Sequence, residues 1–202
     1  MKEKLKSPLV EVVAGPNGSG KSTFAEAFLV RLKKRSNYLN PDLIAAAVTP
    51  GQNGVGQFRA GRILLEQLKT NIAKMEDVAF ESTLSGKTYL NILQQAKQNG
   101  YKIKVYFLYL EDSKLNILRI KQRVQMGGHN VPTKDVIRRY KRSFNNFWNF
   151  YRPLCDEWVM FNNSNKKPEM TLDSDIFSQL TSEEQSKFIR SFLKGRIIYE
   201  KK

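Results

Sequence analysis

Gly15-Pro16-Asn17-Gly18-Ser19-Gly20-Lys21-Ser22 decides how this chain is read. Gly15, Gly20, Lys21 and Ser22 satisfy the spacing G-x-x-x-x-G-K-[ST], a glycine-rich loop whose backbone N–H groups turn inward around phosphate oxygens. Gly18 adds a further position without a Cβ, which lets the backbone turn more tightly. The pattern directly follows the apolar run Leu9 to Ala14 and opens the amphipathic stretch Lys21 to Lys34. A strand before and a helix after distinguish a phosphate loop from a mere glycine-rich turn. Loop amides, the positive end of the helix dipole and the Lys21 ammonium are expected to converge on the β- and γ-phosphates, with the Ser22 hydroxyl on Mg²⁺. The expected nucleotide-binding set is Gly15, Pro16, Asn17, Gly18, Ser19, Gly20, Lys21, Ser22 and Thr23, with ATP ahead of GTP as the ligand.

Outward from this loop, short apolar runs alternate with longer amphipathic ones. Tyr38 to Asn40 precedes a region ending in Arg59 to Lys74, and Val78 to Glu81, Ile103 to Leu110 and Trp158 to Phe161 continue the rhythm. With Leu9 to Ala14 these make five predicted strands separated by helical patterns, hence an α/β, three-layer P-loop NTPase fold around a mainly parallel five-stranded sheet. Thr133 opens a helix on which Tyr140, Phe144, Phe147, Trp148 and Tyr151 recur at three-, four- and seven-residue spacing, a stripe that reads as core. Its other face carries Arg138, Arg139, Lys141 and Arg142. Asn162 to Pro168 is a polar, turn-rich loop after the last predicted strand. The 202 residues suit one domain, residues 1–202, with a core at about 9–164 and a helical extension at about 171–202.

Composition narrows the chemistry. Lys and Arg number 34 against 19 Asp and Glu, a net charge of +15 that attracts polyanions such as nucleotides, nucleotide sugars or nucleic acid. No apolar run approaches the roughly 20 residues that span a bilayer, so a cytoplasmic protein without a membrane partner is expected. Cys155 has no second cysteine to pair with, and His129 is the one histidine, so any metal should be held by oxygen. A kinase adds to phosphate binding an acceptor-activating group, a metal-holding acid and positive charge over the migrating phosphoryl group. Asp42, after the second strand, reads equally as a base or as a helix cap or turn residue. Glu81 ends the third strand at the same sheet edge, either as a ligand for metal or acceptor or as an exposed strand-end carboxylate. Arg119 and Arg123 lie four apart on a helix leading into Gly127-Gly128, which reads as a helical lid over the phosphates or as ordinary surface. His129, beside that turn, is either structural or a substrate contact.

Gly15 to Thr23, Asn40-Pro41-Asp42-Leu43-Ile44-Ala45, Phe80-Glu81-Ser82-Thr83-Leu84-Ser85-Gly86 and Gly127-Gly128-His129-Asn130-Val131-Pro132, in that order, resemble the zeta-toxin-like P-loop kinases over about residues 9–164. The resemblance implies a kinase-like version of the P-loop fold and transfer of a phosphoryl group from ATP, with Mg²⁺, to a sugar hydroxyl of UDP-N-acetylglucosamine. It implies Lys21 as the phosphate-loop lysine, Asp42 as the acceptor-activating aspartate and Glu81 as the carboxylate ending the third strand. Arg119 or Arg123 corresponds to the lid arginines and Arg62 to an arginine of the intervening helix. The catalytic set expected is Lys21, Asp42, Glu81, Arg119 and Arg123; the acceptor set is Asp42, Arg62, Glu81, Thr83 and His129; Ser22 and Glu81 are the metal ligands. An antitoxin protein is the partner this resemblance brings into view. The chain departs from the toxins at His129, where they carry arginine, and at Asn40-Pro41-Asp42, where their motif reads Asp-Asn-Asp. A polynucleotide kinase or nucleic-acid-associated ATPase, using the basic helix around Arg138 to Arg142, and a non-catalytic nucleotide-dependent binding module are the other readings.

Overall fold

Strand β1 (Leu9–Ala14) organises the molecule: it is buried along all but its first residue and pairs in parallel with β3 (Val78–Ser82) on one side and β4 (Lys102–Tyr109) on the other. A parallel strand covered on both faces needs no apolar–polar alternation, which is why Leu9 to Ala14 reads as one apolar run. The computed structural model describes residues 7–28, 37–48, 55–128 and 130–193. Across them the sheet runs β2-β3-β1-β4-β5-β6, where β2 is Tyr38–Leu39, β5 Glu157–Asn162 and β6 Glu169–Asp173. The first five are parallel and β6 lies antiparallel on β5.

The sheet therefore has six strands rather than the five expected, and the extension expected to be helical begins as an edge strand. The reason is local. In Glu169-Met170-Thr171-Leu172-Asp173 only Leu172 is buried, so the segment carries too little apolar signal to register as a strand. Helices follow it over Ser174–Gln179 and Ser182–Leu193. The first of these is capped by Asp173, whose Oδ1 accepts from the Ile176 amide at 2.8 Å. The expected helical continuation over 29–34, His129 and the end of the extension at 194–202 lie outside the described residues.

Period-two alternation along β1 divides the helices between two faces. Val10, Val12 and Ala14 point with Phe80, Ile103, Val105 and Phe107 toward α3 (Val55–Ala73), α4 (Leu90–Gln98) and α6 (Thr133–Asn146), whose Leu64, Leu68, Leu93 and Phe144 complete the main core. Val13 points the other way, with Ala79 and Leu108, onto Phe24 and Ala25 of α1 (Lys21–Phe28). The aromatic stripe, which starts on α6 and runs on past its end, is core: Phe144 and Phe147 meet Phe107 with ring centroids 5.2 and 4.4 Å apart.

Helix α6 also straps down the chain that leaves β3. Ser143 donates to the Thr83 carbonyl, and Asn146 donates to that of Leu84 at 2.9 Å. Beyond α6 the backbone makes one π turn, Phe147–Tyr151, and from it the Tyr151 hydroxyl donates to the Gly86 carbonyl at 2.7 Å. Leu84, held between these bonds, adopts φ 49°, a left-handed conformation that side-chain-bearing residues rarely take. The loop after β3 is thereby fixed at the carboxyl edge of the sheet, where open α/β folds bind their ligands.

Candidate active site

The glycines of the loop after β1 are required by close approach. Gly15, Gly18 and Gly20 take φ of 138°, 77° and 87°. A Cβ on Gly15 would stand 2.0 Å from the Leu108 carbonyl oxygen, one on Gly18 2.7 Å from that of Asn116, and one on Gly20 2.4 Å from Asn163 Nδ2. Three distant side chains hold the loop from outside. Asn116, on α5 (Ser113–Gln125), donates to the Asn17 carbonyl at 2.7 Å, and Asn163, just past β5, donates to the Ser19 carbonyl at 2.8 Å. Arg139 of α6 donates to Asn17 Oδ1 at 3.2 Å. These bonds, with the Gly15 amide on the Ser82 carbonyl at 3.2 Å, fix the course of the loop. Gly15, Pro16 and Ser19 form its buried back, while Asn17, Gly18, Gly20, Lys21, Ser22 and Thr23 line a cleft of about 820 Å³. The first amides of α1 have no intrahelical partner by helix geometry and open on the same side.

Lys21 is half-buried, with Nζ donating to the Pro16 carbonyl at 3.1 Å. Burial pulls its pKa down, Glu81 and then Asp42 pull it back up, and Arg123 and Arg139 push it down again. The ammonium therefore sits among two carboxylates and two guanidinium groups. Glu81 is buried, so it is not an exposed strand-end carboxylate. Its Oε2 accepts from Ser22 Oγ at 2.9 Å, and its Oε1 accepts from Asn40 Nδ2 at 2.8 Å and from the Tyr38 hydroxyl. Burial first, and Glu81 second, raise the pKa of the Tyr38 phenol, which keeps it a donor. Ser22 and Glu81 make an all-oxygen pair suited to Mg²⁺, which takes one or two protein oxygens and completes its shell with water and phosphate. Among the described residues no group of three or more His, Cys, Asp or Glu is placed to hold a metal ion.

Asp42 stands in the first turn of α2 (Pro41–Val48), but the capping residue is Asn40, whose Oδ1 accepts from the amides of Asp42 at 2.8 Å and Leu43 at 3.2 Å. The Asp42 carboxylate is half-exposed in the cleft, 3.8 Å from Arg123 Nη1. It lines both the large cleft and a second one of about 360 Å³, and Glu81, Thr83 and Arg123 are also common to the two. Arg119 and Arg123 both reach the large cleft from α5, and Arg119 Nη2 donates to the Ser164 carbonyl at 3.3 Å. Their helix turns back through Gly127, φ 84°, and Ile120 packs with Val131 and Val136 of the returning segment. Arg62 is not brought to the site: it is exposed on α3 with its guanidinium 5.0 Å from the Phe58 ring centroid, and lines neither cleft. His129 lies outside the described residues.

Sequence reasoning did not find Tyr38, Asn40, Asn116, Arg139 and Asn163 as site residues. Asn116 carried one signal, an amide four residues before the apolar Ile120 on the buried face of α5. No helix among the described residues is long and apolar enough to cross a membrane.

The zeta toxin family model matches residues 1–166. A protein of Haemophilus influenzae of uncharacterised function is 30% identical over 126 residues, which are 62% of this chain and 88% of that protein. The structure of the PezAT chromosomal toxin–antitoxin system of Streptococcus pneumoniae superimposes with a TM-score of 0.61 at 14% identity, covering 94% of this chain and 80% of that one. The AvrRxo1-ORF1:AvrRxo1-ORF2 structure with ATP gives a TM-score of 0.64 at 15% identity, covering 95% and 72%. At these identities the structural likeness speaks for a shared P-loop kinase fold.

Proposed function

Because the chain belongs to the zeta toxin family, we propose that it is a kinase that moves the γ-phosphoryl group of ATP to a hydroxyl of a small acceptor, UDP-N-acetylglucosamine being the first to test. The observation that carries this reading is the meeting of two clefts at Asp42, Glu81, Thr83 and Arg123, beside the phosphate loop. One cleft suits a nucleotide whose phosphates end at Lys21, and the other suits an acceptor whose hydroxyl reaches Asp42.

In this reading the loop amides and Lys21 hold the phosphates, and Asp42 accepts the proton of the acceptor hydroxyl. The acceptor oxygen bonds to the γ-phosphorus as the bond to the β–γ bridging oxygen breaks, and ADP leaves. Arg123, next to Asp42, and Arg119, one turn earlier on the same helix, supply positive charge where negative charge shifts. Ser22 and Glu81 would hold Mg²⁺, which when bound draws charge from the phosphate oxygens. An antitoxin-type protein partner belongs to the same proposal, by likeness to the PezAT system, as does a cytoplasmic location, where ATP is abundant.

Incubated with ATP, Mg²⁺ and UDP-N-acetylglucosamine, the purified protein is expected to yield a sugar nucleotide heavier by one phosphoryl group in mass spectrometry. No product from that acceptor, together with none from a panel of sugar nucleotides, polyols and 5′-hydroxyl oligonucleotides, would overturn the kinase reading.

A further inference from the structure

Asn40 is buried at the junction of β2 and α2, and both ends of its amide are engaged. Its Oδ1 caps α2 by accepting from the amides of Asp42 and Leu43, and its Nδ2 donates to Glu81 Oε1 at 2.8 Å. Pro41 follows at the first helical position, where its missing N–H costs nothing, and it biases Asn40 toward the extended conformation that a cap needs. The orientation of the amide follows from chemistry, since the cap requires an acceptor and the carboxylate a donor. Tyr38 donates to the same Oε1, so both donors from the β2 side hold one oxygen of Glu81 and the other turns to Ser22.

We infer that Asn40 is the positioning residue that sets the two carboxylates in register, fixing the helix start that carries Asp42 and the rotation of Glu81 with one side chain. The inference rests on the proposed roles of Asp42 and Glu81. Of the residues that cap helices well, only asparagine carries, beside the accepting oxygen, a donor on a separate atom that reaches Glu81. Aspartate keeps the cap but sets a second carboxylate against Glu81, and serine keeps the cap but is too short to reach it.

The test is a comparison of Asn40→Ser, Asn40→Asp, Asn40→Ala and Glu81→Gln, read by calorimetric ATP binding with Mg²⁺ and with EDTA, and by kcat. N40S should raise the Mg²⁺ concentration needed for half-maximal ATP binding by roughly tenfold, the lower end of what loss of a ligand-orienting hydrogen bond costs. N40D should raise it more, and binding in EDTA should be affected far less in both. N40S combined with E81Q should bind no worse than E81Q alone, because a residue that acts through Glu81 has nothing left to orient. N40A, which also loses the cap, should lower kcat further than N40S. Multiplying losses in the double variant, or an N40S protein with the wild-type Mg²⁺ requirement, would overturn the role of Asn40 even where transfer is intact. Coupled binding losses in a protein that transfers to no acceptor would overturn the kinase reading and leave the role of Asn40 standing.

Discussion

Asp42→Asn is expected to slow phosphoryl transfer by about 10³-fold, within the range that a general base contributes, while Mg²⁺-ATP binds nearly as in the unaltered protein. The amide matches the carboxylate in shape but accepts no proton. The start of α2 does not depend on that charge, because the helix is capped by Asn40 and not by Asp42. The ion pair lost with Arg123 is long, at 3.8 Å, and half-exposed on both sides, so it contributes little to stability. Initial-rate measurement across acceptor concentrations checks this: kcat should fall with ATP affinity kept. Equal loss of ATP binding and turnover would instead make Asp42 a nucleotide contact.

Lys21→Ala should weaken Mg²⁺-ATP binding about 30-fold or more, the worth of a charge-assisted hydrogen bond to phosphate of about 2 kcal/mol or above. Transfer should fall by a further 10²-fold or about that, as when one donor to the developing charge is removed. The same variant should unfold at a temperature equal to or above that of the unaltered protein. Burial is the largest influence on Lys21 and lowers its pKa. A base whose folded pKa lies below its unfolded value costs stability while it is charged, at pH below that folded pKa, and alanine removes the cost. Loss of function with stability kept or gained is the signature of a side chain placed for binding. Differential scanning calorimetry beside the binding titration separates the two effects. A strongly lowered unfolding temperature would mean that Lys21 serves the fold.

How much of this was legible in the chain follows from where each signal is carried. Gly15 to Ser22 is contiguous, and its strand and helix flank it directly, so the loop and the fold class could be read from one segment. The central strands β1, β3 and β4 are buried over most of their length and show as apolar runs. Edge strand β6 has one buried residue and did not show. The supports of the loop were hidden for another reason: Asn116, Arg139 and Asn163 lie 99, 122 and 144 residues from the loop atoms they hold. Polar residues at such separations have no local periodicity to betray them. At Asp42 the cap reading falls, because Asn40 makes the cap, a bond between a side chain and the backbone that the sequence does not display. Glu81 could be placed at a strand end from sequence, but its burial depends on Tyr38 and Asn40, which only the pairing of β2 with β3 brings to it. Arg62, suggested by resemblance alone, stands on an exposed part of α3 away from both clefts.

The most direct measurement follows a γ-phosphoryl label from ATP into a metabolite extract, with the unaltered protein and Asp42→Asn in parallel. The unaltered protein should move the label to the hydroxyl of one small-molecule class, and Asp42→Asn should leave it on ATP. Label released as inorganic phosphate alone, at the same rate from both proteins, would contradict a kinase whose acceptor is activated at Asp42.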